Sequence, residues 1–327
     1  MADTLASARG VPETASDIAQ RCTVRVPAST SNLGAGFDCV GVAVDRWLTV
    51  HATCTHVERS EVTRTGTLAS LDLLPEYDLI VRGFVAACER AAVPAPPVRI
   101  EAHSTIPVGR GLGSSAAACV AGALVANALL SLDLDADAII NVAAAIEGHP
   151  DNVAPSVRGG AVLGVGTSPP PLAAWYVAPL RVHPTLSLVF AIPDFEIATR
   201  SARSVLPREV EFGVAVDAAG RAAALVQGLA AGDAALLRAG LADVLHVPHR
   251  RSLVRAYDEV VSAALAAGAI GATLSGSGSS LVAITPSSVA PNVAAAMCDA
   301  WRAVGIAAEP LVSAGEVCGA TVTVDPR

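Results

Sequence analysis

Six consecutive residues, Glu147-Gly-His-Pro-Asp-Asn152, bring a carboxylate, an imidazole, a second carboxylate and an amide together. Glu147 closes a stretch with helical spacing, and a negative charge at a helix C-terminus is disfavoured by the helix dipole. A Mg²⁺ ion would offset that cost, because magnesium takes one or two carboxylates and completes its shell with phosphate oxygens. The plain alternative for this segment alone is a solvated helix end followed by an Asp/Asn turn.

A second constellation is Pro107-Val-Gly-Arg-Gly-Leu-Gly-Ser-Ser-Ala116. Glycines at alternate positions let backbone N–H groups converge on one ligand. Ser114 and Ser115 then open an Ala-rich helix, whose unpaired first N–H groups and positive dipole end suit a phosphate. All 22 cations of the chain are arginines, because it contains no lysine. A phosphate-loop lysine, a Schiff base and the strand lysine of protein kinases are therefore excluded. Gly111-Leu-Gly-Ser-Ser-Ala116 also satisfies the dinucleotide pattern G-x-G-x-x-A. There the ribose-binding acid should close a second apolar strand, whereas Asp133 lies in the charged segment Ser131–Asp137.

Two other loops share this character, Ser31-Asn-Leu-Gly-Ala-Gly-Phe-Asp38 and Ser275-Gly-Ser-Gly-Ser-Ser280. Three such loops predict a site that grips a substrate and a nucleotide largely through backbone. Arg200, Arg203 and Arg250 are candidates for bidentate binding of a carboxylate. Asp243, His246 and His249 have a spacing that hints at metal, but Pro248 interrupts the helix that would align them. No further ligand stands nearby, so a surface or loop role is expected for them.

The elements that must carry these residues follow from periodicity. Strands are predicted at Cys22–Val26, ending at Pro27, along Val40–Val50, at Val98–Ala102, at Leu186–Ile192, at Ile270–Leu274 and at Ser280–Ile284. Helices are predicted at Leu79–Arg90, Ser114–Leu130, Ala136–Glu147 with Asp135 or Asp137 as N-cap, Ala222–Leu229, Leu253–Ala266 and Ala290–Ala303. The mixture lacks a steady β-α alternation, which favours an α+β fold over a doubly wound sheet. A loose tail is expected over residues 1–20, a first domain over 21–170 and a second over 171–327. The boundary is placed at Thr167-Ser-Pro-Pro-Pro171.

A chain of 327 residues that is 52% apolar and 16% charged can build a large core. Its formal net charge of −8, without a basic run, argues against general nucleic-acid binding. Seven cysteines without a C-x-x-C pair point away from a disulfide framework and towards a reducing, cytoplasmic setting. The longest apolar run, Ala116–Ala126, is well short of the roughly 20 residues that cross a bilayer.

Taken in order along the chain, Val24 to Asp38, Pro107 to Ala118, Glu147 to Pro155 and Gly271 to Gly278 resemble the motifs of the GHMP small-molecule kinases, and within them the homoserine kinase branch. The resemblance implies a two-domain α+β fold: an N-terminal domain like ribosomal protein S5 domain 2 and a ferredoxin-like C-terminal domain. It implies ATP- and Mg²⁺-dependent phosphorylation of the side-chain hydroxyl of L-homoserine in threonine biosynthesis, with homodimers common in such families. By motif match, Pro107, Gly109, Arg110, Gly111, Leu112, Gly113, Ser114 and Ser115 would wrap the ATP phosphates, and Asp78 would lie at the adenine. Glu147 with Ser114 or Ser115 would hold Mg²⁺. Asn32, Asp38, His149 and Asn152 would surround the amino acid, with Asp38 at its ammonium and Arg203 and Arg250 at its carboxylate. Thr199 would lie near the reacting hydroxyl, so that Glu147, Thr199 and Arg203 would serve the transfer. Ser275, Gly276, Ser277 and Gly278 form the third glycine loop. Three departures stand out: Ser279 replaces the family's usual proline, Asp78 replaces its asparagine, and Ser29-Thr30-Ser31 stands where relatives often read Thr-Ser-Ala.

Overall fold

The computed structural model describes residues 21–54, 58–167 and 174–325. The expected tail at 1–20 and most of the expected boundary at 167–171 lie outside these residues. The first half forms strands β1 (Arg21–Asn32), β2 (Gly36–Cys54), β3 (Glu61–Gly66), β4 (Val98–Ser104) and β5 (Ala161–Gly166). Its helices are α1 (Leu79–Arg90), α2 (Ser114–Leu130), α3 (Ala136–Glu147) and α4 (Val153–Arg158). Strand β6 (Trp175–Leu180) follows, then β7 (Leu186–Pro193) and helices α5 (Thr199–Ser204), α6 (Phe212–Ala231), α7 (Ala234–Leu241), the single turn α8 (Val247–Arg250) and α9 (Tyr257–Ala266). The chain closes with β8 (Gly271–Leu274), β9 (Leu281–Pro286), α10 (Ala290–Ala303), β10 (Ala308–Ala314) and β11 (Thr321–Val324).

A seven-stranded sheet runs in the order β11-β1-β2-β4-β3, with β5 on the first half of β2 and β6 on β5. All its ladders are antiparallel except β3 on β4. A four-stranded antiparallel sheet has the order β10-β7-β9-β8. With its helices it is the β-α-β-β-α-β arrangement of a ferredoxin-like domain. The fold is thus two-domain and mixed α+β, as the resemblance implies. Strands β6 and β11, both beyond residue 171, pair into the first sheet. The C-terminal segment therefore returns to the N-terminal half.

Local chemistry explains several boundaries. Asp78 caps α1 by accepting the Ile80 N–H, and Asp135, rather than Asp137, caps α3 through Ala138 N–H. Pro27 does not end β1. The ladder to β2 shifts register between Pro27 and Ala28, and the strand continues to Asn32. A proline has no N–H to give the ladder, and a register irregularity is where a sheet tolerates one.

One face of the second sheet (Leu188, Phe190, Val282, Ile284) joins the large core with α2 and with Leu225, Leu229 and Leu237 of α6 and α7. The other face (Val189, Ala191, Leu281, Ala283) packs under α9 and α10, around Met297 and Trp301. Helix α6 is the one described helix with the length and mean hydropathy of a bilayer span. It carries the Asp217–Arg221 pair, and Arg221 also donates to the Ala242 carbonyl after α7.

Candidate active site

The three glycine-rich loops meet at the joint between the two sheets. Thr30 and Ser275 share a hydrogen bond through their hydroxyls at 2.9 Å. Asn32 Nδ2 donates to the Gly276 carbonyl (2.9 Å), and Gly276 N–H donates to the Ser31 carbonyl (3.1 Å). These contacts close one side of a cavity of about 310 Å³ lined by all three loops, α5 and the end of α3.

The central loop is turned so that its carbonyls face protein. Gly109 O accepts from Ile197 N–H, Arg110 O from Ser280 N–H, Gly111 O from the Ser275 hydroxyl and Leu112 O from Ser29 N–H. Gly113, in the left-handed conformation, stands where a Ser, Thr or Asp would cap α2, and among the described residues no side chain caps the helix. Those donors, at the positive end of a buried 17-residue helix, are open to an anion. Glycine is required here by both space and conformation. A Cβ on Gly111 would lie 2.1 Å from the Ser275 carbonyl oxygen at φ +73°, and one on Gly113 2.2 Å from Ser29 Oγ at φ +68°.

The expected loop residues differ in what they offer. Leu112 is buried as packing, while Pro107, Gly109, Ser114 and Ser115 line the cavity. Arg110 contributes no free guanidinium. Its Nε, Nη1 and Nη2 donate to the carbonyls of Pro193, Val108 and Asp194, and Glu196 pairs with it at 3.0 Å. It fastens the loop to the end of β7.

Ser115 Oγ donates to Glu147 Oε2 at 2.9 Å, so of the two serines it is Ser115 that meets the carboxylate. Among the described residues no cation pairs with Glu147 within 4.0 Å. A carboxylate beside a hydroxyl, with open backbone donors next to both, fits a hard cation carrying phosphate oxygens.

Asp78 is engaged on both oxygens. Oδ1 caps Ile80, and Oδ2 accepts Nε and Nη2 of Arg64 at 2.9 and 2.6 Å. Around this buried pair the cavity wall is apolar, with Leu48, Leu68, Leu71, Leu79 and Ile80. Arg64 has no local sequence signal, since it reaches Asp78 from β3, 14 positions earlier in the chain.

On the opposite side of the cavity the chemistry is carried by side chains. Arg203 grips Asp38 in a two-pronged pair, at 2.9 and 3.1 Å, so the residues expected at opposite ends of an amino acid hold one another. Asn32 Oδ1 accepts the Asp38 N–H and fixes that turn. Asn152 is committed to the first loop: its Nδ2 donates to Ser31 Oγ and its Oδ1 accepts from Ser29 Oγ. Thr199 starts α5, 3.5 Å from the hydroxyl of Ser277, and both line the cavity. Gly278 closes the third loop by donating to the Ser275 carbonyl. Arg250 is 2% exposed, and its Nε donates to the Ala202 carbonyl at 2.9 Å. Arg200 is exposed and outside the cavity.

His149 Nδ1 is hydrogen-bonded to Oδ1 of Asp151, whose Oδ2 is buried without a partner among the described residues. Burial opposes the imidazolium, but the hydrogen bond and charge of Asp151, with Asp38 nearby, outweigh it and raise the His149 pKa. Asp151 belongs to the six-residue cluster but stands out only in three dimensions. His246 and Asp243 lie in the loop between α7 and α8, as one of the expected alternatives had it, but their side chains are buried rather than at the surface, with His246 against the first glycine turn.

Comparison with known proteins shows the family of the chain. The model of the GHMP kinases N-terminal domain matches residues 78–160, and that of the GHMP kinases C-terminal domain matches residues 225–303. A homoserine kinase of Trichormus variabilis is 40% identical over 303 residues, covering 91% of this chain and 98% of the relative. One of Trichodesmium erythraeum is 40% identical over 288 residues, covering 87% and 92%. The crystal structure of homoserine kinase from Cytophaga hutchinsonii superposes with a TM-score of 0.82 at 31% identity, covering 93% of this chain and 98% of that one. The chain belongs to the GHMP kinases and, within them, to the homoserine kinase family.

Proposed function

We propose that this protein transfers the terminal phosphoryl group of ATP to the side-chain hydroxyl of L-homoserine, giving O-phospho-L-homoserine for threonine biosynthesis. The observation that carries this reading is the two-sided cavity. One side offers main-chain donors at the mouth of α2 beside Ser115 and Glu147. The other offers an acid and two arginines, Asp38, Arg203 and Arg250, which match the ends of an amino acid. The apolar wall around Asp78 and Arg64 suits a purine ring.

Magnesium bound with ATP would neutralise charge on the phosphates; Glu147 and Ser115 are the residues that would hold it. The glycine loop and the first turn of α2 would fix the polyphosphate. Asp38 would take the substrate ammonium, and Arg250, with Arg203, its carboxylate. His149, positioned by Asp151, and Thr199 would border the reacting hydroxyl. Catalysis of this type rests on alignment and charge stabilisation, so no strong general base is demanded. The seven cysteines are all free, which supports a reducing compartment such as the cytoplasm for this reaction.

A coupled assay of ADP release over L-homoserine, other small alcohols and mevalonate tests the reading. Turnover of L-homoserine above the others is expected. Turnover of mevalonate alone, or binding of ATP and homoserine without ADP formed, would overturn it.

A further inference from the structure

His246 has no role in the reaction as described, yet it sits completely buried at the centre of the substrate side. Asp243 Oδ2 accepts the N–H groups of both His246 and Val247 at 2.7 Å, which fixes the entry into α8. His246 Nε2 lies 3.0 Å from the Gly34 carbonyl oxygen in the first glycine turn. A carbonyl oxygen only accepts, so Nε2 carries a proton, and in the neutral ring Nδ1 is left with a lone pair. That nitrogen faces Nη1 of Arg250 at 3.4 Å. Arg250 is therefore held from two directions, by His246 and by the Ala202 carbonyl of α5.

Phe37 completes the unit. His246 stacks on its ring at 4.8 Å with 20° between planes, and the guanidinium groups of Arg250 and Arg203 lie 5.1 and 6.0 Å from its centroid. Phe37 precedes Asp38 in the chain. A single imidazole thus touches the turn that carries the acid and the arginine proposed for the carboxylate.

We propose that His246, as the neutral imidazole protonated on Nε2, is a positioning residue that orients Arg250 and the Phe37–Asp38 turn for binding of the amino-acid substrate. The proposal rests on the reading that Arg250 takes the substrate carboxylate. Protonation of Nδ1 would turn the acceptor into a donor and set a second positive charge against Arg250. The charged groups around the ring are Asp243, with Oδ2 at 3.8 Å, Arg250 and Asp38. Burial disfavours the imidazolium most, Asp243 favours it and Arg250 opposes it; the balance lowers the pKa. The neutral ring then prevails at neutral pH, and substrate binding weakens as the pH falls.

The test compares wild type, His246→Leu, His246→Gln and Arg250→Ala for the KM of homoserine, the KM of ATP and their pH dependence. His246→Leu is expected to raise the homoserine KM about tenfold, the scale of a lost hydrogen bond to a charged group, and to leave the ATP KM unchanged. Glutamine offers an amide N–H to Gly34 and an oxygen to Arg250. It should restore most of the affinity and abolish the rise of the homoserine KM at acid pH. Equal effects on both KM values, no effect on either, or an acid limb that survives in His246→Gln would overturn the proposal. An unchanged homoserine KM in Arg250→Ala would remove its foundation instead, by taking the carboxylate away from Arg250. Should the leucine variant not fold, the glutamine variant against wild type across pH decides alone.

Discussion

The two sides of the cavity are built on opposite principles. At the side proposed for the nucleotide, the groups on offer belong to the main chain: four successive carbonyls, of residues 109 to 112, are held by neighbouring N–H and hydroxyl groups, and α2 begins without a side-chain cap. The one cation in that loop, Arg110, is tied to the carbonyls of Pro193 and Asp194 and to Glu196, and so serves as a fastener. At the side proposed for the substrate the cavity presents charged side chains drawn from distant segments, with Asp38, Arg203 and Arg250 around the ring of Phe37. The contrast teaches how a chain without lysine and with a net charge of −8 would bind a polyanion under the proposed function. Dipoles and oriented amides do not depend on the formal charge. It also says where each side is fragile, the first to an added atom and the second to a removed charge.

The largest effect should come from adding atoms to the main-chain side. Gly111→Val puts a branched side chain where even a Cβ meets the Ser275 carbonyl oxygen at 2.1 Å. We expect kcat/KM to fall about a thousandfold, the scale of losing preorganised backbone donors, with circular dichroism unchanged. Activity near wild type would break the comparison outright. Next in size is Glu147→Gln, expected to lower kcat about a hundredfold and to weaken the Mg²⁺ dependence measured in steady-state assays. Unchanged Mg²⁺ dependence would detach the metal from Glu147.

On the side-chain half, Arg250→Ala should raise the homoserine KM by about ten- to a hundredfold, as removal of a charge-assisted hydrogen bond does, and spare the ATP KM. An equal rise in both would show that the two sides are not separable. The smallest effect concerns His149, whose pKa in the folded state is raised above the ordinary histidine value of 6.5. A raised histidine stabilises the fold fully below its unfolded pKa and loses that contribution as the pH rises through the folded value. His149→Gln should therefore melt below wild type by about 2 °C in mildly acidic buffer, with the gap closing at alkaline pH. A gap that widens with pH would reverse the assignment of the Asp151 pair.

Much of this was legible locally. The helices at Ser114–Leu130, Ala136–Glu147 and Ala290–Ala303 have the bounds that periodicity and caps predict. The glycine loop displayed its chemistry in the types and spacing of a few neighbouring residues. Other features were not legible, because their causes lie far apart in the chain. Arg64 meets Asp78 across 14 positions, Arg203 meets Asp38 across 165 and Asn32 meets Gly276 across 244. The burial of His246, the orientation of Arg110 and the return of β11 to the first sheet likewise have no local signature.

By itself, then, the order of residues determined the helices, the absence of any lysine chemistry and the anion-ready mouth of α2. Those depend on periodicity, composition and backbone freedom within a few residues. Only the tertiary structure decided which side chains share the cavity, that Asp38 and Arg203 hold each other and that an imidazole stands behind Arg250. Those facts depend on two sheets packing against one another, and no short window of sequence contains both partners.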